Sequence, residues 1–215
     1  AFLMMTRRAW ALPLAAGGLI VFVLLDTTIV TDWLMSLDAD FDSSGFGLYV
    51  LSIQMTIALA LVVVIRLAAA SGQARADLLG ALMLVALLLW EYFAFMQYFI
   101  IWSENLPKRV AWFQDRGHGI WAAAEYAIAL LALVPTFLLF FTAIRRSRAW
   151  LLTIAAAMLC AKAIEIAWLV FPAVDAPPAV EVAAMALAAL GLASLAAAFF
   201  GWMGRAQPAP GLRER

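Results

Sequence analysis

Residues 88–107 read LLWEYFAFMQYFIIWSENLP. Large apolar side chains run through this stretch with no turn signal before Ser103, yet Glu91 stands inside it. A carboxylate at the centre of a membrane helix costs about 2.5–3.5 kcal/mol on insertion scales. Such a residue marks either a buried pairing or a functional site. The run around it is long enough to cross a hydrocarbon core of about 30 Å.

The whole chain has the same character. Of 215 residues, 67% are hydrophobic and 13% charged, and the mean hydropathy is +0.99. Soluble domains carry about a quarter charged residues. Six apolar segments are expected to span, near Ala9–Leu25, Gly47–Ile65, Leu78–Trp102, Gly119–Ile144, Ala149–Phe171 and Val180–Met203. They lack the alternation of barrel strands, so the backbone must satisfy itself within helices. The expected fold is all-α, a polytopic integral membrane bundle forming one domain over residues 1–204, with a disordered tail at 205–215.

Arg7 and Arg8 before the first apolar run resemble the start of a signal peptide. No small-residue cleavage motif follows, so the segment reads as a helix. The chain starts at Ala1 rather than Met, and further residues are expected upstream. Ten of the 14 Lys and Arg fall on the side holding the termini, at Arg7, Arg8, Arg66, Arg75, Arg145, Arg146, Arg148, Arg205, Arg213 and Arg215. The opposite side has Lys108, Arg109 and Arg116, and Lys162 lies within a helix. The positive-inside rule then places both termini in the cytoplasm. A net charge of zero gives no pointer to nucleic acid.

His118 is the only histidine and Cys160 the only cysteine. One histidine cannot supply two axial haem ligands, no C-x-x-C-H motif is present, and no metal-ligand spacing occurs. No covalent cofactor and no metal are therefore expected. Cys160 reads as a small buried packing residue.

Two outer segments read as interfacial helices. In TDWLMSLDADF, Trp33, Leu34, Leu37 and Phe41 recur at helical spacing. Pro107 suits the first turn of a second helix, KRVAWFQDR. Trp33, Trp102, Trp112 and Trp121 fit an aromatic belt. In the last helix, Ala189, Ala193, Ala197 and Gly201 form a small-residue ridge suited to close helix or subunit packing.

The expected proton-path residues are Glu91, Glu125, Lys162 and Glu165. Lys162 and Glu165 are three apart on one face with Trp168. Glu91 shares a face with Phe95, Tyr98 and Trp102, and Gln97 lies about 120° away. One lysine neutralises one of three carboxylates; the other two must be protonated, hydrated or facing a cavity. A structural staple by Lys162 and a relay from Glu125 through Glu165 to Glu91 both fit. Asp26 and Glu181 are expected near helix ends, and Arg66 as an anchor.

DWLMSLD, FGLYV, FAFMQYFIIWSENLP, Trp112, Arg116, GIW and EIAWLVFP follow in order between Asp26 and Pro172. This ordered set resembles the C-terminal part of the ActF subunit of bacterial alternative complex III, a quinol:cytochrome c oxidoreductase with NrfD-like membrane subunits. The resemblance implies a multi-pass subunit of the bacterial inner membrane that binds a quinone (menaquinone or ubiquinone) or conducts protons. It implies haem c, iron–sulfur and NrfD-like partner subunits, with a terminal oxidase and lipids alongside.

The chain departs from that pattern in several places. Family members commonly have ten helices. A Pro-His-Trp is replaced by Ala39-Asp40-Phe41, and two glutamates by Lys108 and Arg109. A histidine expected near Leu131 or Ala132 is missing, the aspartate before Trp168 becomes Glu165, and Glu91 replaces a small residue. The expectation is an auxiliary subunit of a respiratory or photosynthetic electron-transfer complex, contributing a proton path or a quinone-site wall. The alternatives are a structural accessory subunit scaffolding an oxidase or reaction centre, and a secondary transporter.

Overall fold

The long helices of this chain are apolar nearly all round, so hydropathy alone does not choose the face that turns inward. Packing chooses it. In a computed structural model, residues 2–69, 76–174 and 177–206 are described, with side chains at 12–67, 76–174, 177, 179–191, 194 and 198. The helices are α1 (Phe2–Trp33), α2 (Phe46–Ala69), α3 (Ala76–Glu104), α4 (Pro107–Arg116), α5 (Gly119–Leu139), α6 (Thr142–Arg145), α7 (Arg148–Val170) and α8 (Pro178–Ala206). Single 3₁₀ turns lie at Met35–Leu37 and Phe171–Ala173, and no strand occurs among the described residues. Five helical segments are long and apolar enough to cross a membrane: Leu12–Leu37, Phe46–Leu67, Ala76–Glu104, Gly119–Leu139 and Arg148–Ala173. That is the make-up of a multi-pass membrane protein.

The chain forms two units, Ala1–Ala173 and Val174–Arg215. In the first, α2, α3, α5 and α7 pack on one another and α1 lies along α2. The buried stripes recur every three or four residues. On α2 the stripe includes Tyr49, Ile53, Thr56, Ala60 and Val63; on α7 it includes Leu151, Ala155, Met158, Lys162, Glu165 and Trp168. Leu82, Val85, Phe95, Leu130, Leu133 and Phe137 point outward. Without water there is little hydrophobic force between helices in a bilayer, so close approach and polar contacts decide the packing. Gly47 provides one such approach: a Cβ there would stand 3.0 Å from the Thr27 methyl.

The first helix runs further than the sequence suggests. Asp26, Thr27, Thr28, Thr31 and Asp32 look like a loop, but α1 continues through them. The threonine hydroxyls donate to carbonyls one turn back: Thr27 to Val23, Thr28 to Leu24 and Thr31 to Thr27. Those hydroxyls need no water, so the helix persists. Asp26 is therefore well inside a spanning helix rather than near its end, and it accepts a 2.8 Å bond from Gln54 on α2. The expected interfacial helix over Trp33–Phe41 reduces to one 3₁₀ turn. The helix beginning at Pro107 forms as expected, with proline in its first turn.

The fourth spanning helix is shorter than expected. α5 stops at Leu139, Phe140 and Phe141 turn, and α6 follows. Cys160 is exposed rather than buried, because the inward stripe of α7 passes through Met158, Ala161 and Lys162. In the second unit, Pro178 opens α8 and Glu181 sits in its first turn. Ala189 is exposed on this helix. The side chains of Ala193, Ala197 and Gly201, and residues 207–215 of the expected tail, lie outside the described residues.

Candidate functional site: a carboxylate-floored cavity

Glu165 is the hub of the bundle. Tyr49 of α2 donates its phenol to Oε1, and the Trp90 indole of α3 donates to the same oxygen at 2.8 Å. Lys162 donates to Oε2 at 2.7 Å. Both members of that ion pair are 1% exposed at the side chain. The Lys162 ammonium also stands 3.1 Å from the centre of the Trp90 ring, a cation–π contact that partly replaces its lost hydration. Three helices thus meet on one carboxylate. The i,i+3 spacing that put Lys162 and Glu165 on one face corresponds to a real bond.

Above this hub is a cavity of about 160 Å³. Tyr49 and Glu165 stand with Trp90 and Ala94 at its base; Gln97 and Tyr98 of α3, Glu125, Ile128 and Ala129 of α5, and Trp168 of α7 form its walls. Trp112 and Phe113 of α4 complete the lining. Tyr98 is half-exposed and Glu125 exposed, so the cavity opens between α3 and α5. A second cleft of about 270 Å³ shares Tyr98, Phe113 and Glu125 and reaches Gln114 of α4. Glu125 stands where the two meet.

Two buried donors in the cavity wall lack a partner, Gln97 Nε2 and Trp168 Nε1. The Gln97 amide is held by Ser43, whose hydroxyl donates to Oε1 at 2.8 Å. Buried N–H groups without partners are uncommon because each costs about 1–3 kcal/mol. Both belong to residues that line the cavity, and both nitrogens are themselves buried from it.

The wall is built from the outside as well. Trp112 stacks on Phe41 at 4.4 Å and meets Trp168 edge-on at 5.3 Å. Arg116 is buried and lies 3.7 Å over the Trp112 ring. Its guanidinium donates to the carbonyls of Trp112, Trp168 and Leu169 at 3.0–3.2 Å. Burial pushes Arg116 down to about 10, opposed by the carboxylates of Asp38 and Asp115. At the other end of α4, Arg109 bonds Asp42 at 2.8 Å and also Glu104, while Lys108 bonds Asp40 at 2.7 Å.

Of the four expected proton-path residues, Glu125 and Glu165 line the same cavity, and Lys162 pairs with Glu165 beneath it. Glu91 does not line it. Its Oε1 accepts a 2.6 Å bond from Thr136 of α5. Sequence reasoning grouped Glu91 with Phe95, Tyr98 and Trp102; all three are exposed, and of them Tyr98 lines the cavity. α3 lines the cavity with Trp90, Ala94, Gln97 and Tyr98, the first three spaced four and three apart. The buried stripe of α3 runs through Met83, Leu87, Trp90, Gln97 and Ile101, and hydropathy alone does not set it apart from the outward face. Tyr49 was missed because a tyrosine among apolar residues reads as core.

No cluster of His, Cys, Asp and Glu suited to a metal ion occurs among the described residues. The fold and site define a helical membrane bundle with a carboxylate-floored, aromatic-walled cavity. No family model and no curated protein matches the chain.

Proposed function

We propose that the chain is an ActF-like membrane subunit of an electron-transfer complex, and that its cavity takes a quinone head group beside a short proton path. The observation that carries this reading is the aromatic cavity beside buried Glu165 whose lining includes Gln97 and Trp168, each with a buried N–H that has no protein partner and would bond a guest after a side-chain adjustment. A flat ring with two carbonyl oxygens suits aromatic walls and two N–H donors. The opening between α3 and α5 admits a lipid-soluble guest from the bilayer. Quinol oxidation releases two electrons and two protons. In this reading Glu165 and Glu125 receive the protons and pass them through the outer cleft, and the electrons go to a haem c or iron–sulfur group of a partner subunit.

In this reading the membrane is a bacterial inner membrane, spanned six times with both termini cytoplasmic. Arginine asymmetry and the apolar Ala179–Gly191 stretch of α8 support that topology. Glu91 sits beside the path as a helix-packing group.

The test is quenching of tryptophan fluorescence by a short-chain quinone in the detergent-purified chain. Gln97→Leu and Trp168→Phe should each weaken binding by about three- to tenfold, the value of one hydrogen bond. Quenching that is linear in quinone and equal in both variants would sink the head-group reading. Co-purification with haem c and iron–sulfur subunits after mild extraction tests the parent complex; purification as a lone homo-oligomer counts against it.

A further inference from the structure

The Arg145 end of the bundle carries a separate groove of about 580 Å³, lined by Asp77, Leu78 and Ala81 of α3 and by Thr142, Arg145 and Arg146. Gly80 makes it: a Cβ there would stand 2.9–3.1 Å from Arg145 atoms, including its Cα, so Arg145 lies directly on α3. One nitrogen of its guanidinium donates to Leu139 and Phe140, at 2.7 and 3.2 Å, the terminal carbonyls of α5. The other nitrogens of Arg145, and the exposed guanidinium of Arg146, make no protein hydrogen bond among the described residues. The one carboxylate in the groove, Asp77, accepts the Leu78 N–H at 2.9 Å in the first turn of α3. Positive charge and free donors therefore exceed negative charge there.

Position gives the groove its chemistry. The spanning segment of α3 begins at Ala76, that of α5 ends at Leu139, and that of α7 begins at Arg148. The groove therefore lies at the level where hydrocarbon gives way to head groups. Leu78 and Leu82 on α3, Phe137 on α5 and Phe140 in the turn after it are exposed apolar side chains next to it in sequence. A ligand with an anionic head and an apolar tail satisfies both halves. Basic pockets between membrane helices hold anionic lipid head groups in this way.

We propose that this groove binds the phosphate of an anionic phospholipid of the adjoining leaflet, with Arg145 and Arg146 as its donors and Thr142 at its edge. Arg145 has a double duty, capping α5 and facing the head group; Arg146 is the accessible ligand. The site is independent of the cavity above Glu165.

Native mass spectrometry of the full chain, titrated with phosphatidylglycerol, phosphatidylcholine or inorganic phosphate, tests the proposal. Phosphatidylglycerol should be retained over phosphatidylcholine, and Arg146→Gln should lower its retention about fivefold while leaving phosphatidylcholine unchanged. Arg146→Lys, which keeps the charge, should restore most of the difference. Arg146 is exposed, so helical circular dichroism and quinone quenching should not change in either variant. Equal retention of the two lipids, or an unchanged preference in folded Arg146→Gln, overturns the site. Displacement of phosphatidylglycerol by inorganic phosphate at matched concentration overturns the lipid assignment.

Discussion

The Arg116 guanidinium stands 3.7 Å over the ring of Trp112 while its nitrogens reach the carbonyls of Trp168 and Leu169 on α7. One side chain therefore holds α4 to the end of α7, and so holds the aromatic wall of the cavity in place. Lysine cannot reproduce this, since a single ammonium lacks the planar fork that stacks and reaches several carbonyls. Arg116→Lys should lower stability by about 2–4 kcal/mol and Arg116→Met by at least as much. Thermal unfolding in detergent, followed by tryptophan fluorescence, measures it.

The pH behaviour of the two ends of α4 should differ in sign. Arg116 is depressed to about 10 by burial yet stays charged at neutral pH. Between about 10 and its higher ordinary value the unfolded chain binds the extra proton, so its contribution favours folding more as pH rises. Lys108 is raised, first by its hydrogen bond to Asp40 and then by that carboxylate's charge. Its contribution is complete below about 10.5 and is lost as pH climbs through the raised value. The three bridges at this end are wholly or partly solvent-facing, so Asp42→Asn should leave the unfolding midpoint almost unchanged. That small effect should vanish in about 1 M salt. Unfolding midpoints against pH and salt separate the two ends.

Glu91 and Glu125 should separate in function. Glu91→Gln keeps the Thr136 contact and leaves the cavity wall untouched, so quinone binding and proton release should match the wild type. Glu125→Gln removes a carboxylate at the junction of cavity and outer cleft. It should slow proton release in the assembled complex with little loss of binding. A stopped-flow pH indicator reads both variants, and slowing by Glu91→Gln alone would put the path on the other side of α3.

Gly80→Val should destabilise by about 1–3 kcal/mol, the cost of overpacking. The atoms that a new Cβ would meet include the Arg145 backbone, which cannot swing aside. Gly191 has open space about it, and Gly191→Ala should be neutral or mildly stabilising. Thermal midpoints of the two variants give the contrast.

How much of this was legible in the sequence follows from what each signal measures. Hydropathy located the spanning runs, because a twenty-residue apolar stretch has few other uses. It could not show that Thr27, Thr28 and Thr31 would bond back along α1, so that helix ended too early on paper. Nor could it orient α3, where Tyr92, Phe95, Trp90 and Leu87 are equally apolar whichever way they face. Glu91 drew attention as the one charge inside the apolar run before Ser103, while the groups that meet the cavity were the less conspicuous Trp90 and Gln97. Intrahelical spacing did carry over: Lys162 and Glu165 needed only one helix to find each other, whereas Tyr49 and Trp168 needed the packing of several.

That last pairing bears on how the chain enters a membrane at all. An isolated lysine or glutamate at the centre of a nascent helix costs about 2.5–3.5 kcal/mol at insertion, before any neighbour has arrived to compensate it. Because Lys162 and Glu165 lie one turn apart on α7 and bond at 2.7 Å, this helix brings its own counter-charge through the translocon. α7 can therefore partition into lipid with its two central charges paired and only Arg148, at its end, uncompensated. Tyr49 and Trp90, on helices that precede α7 in the chain, supply the remaining bonds to Glu165 once the helices pack.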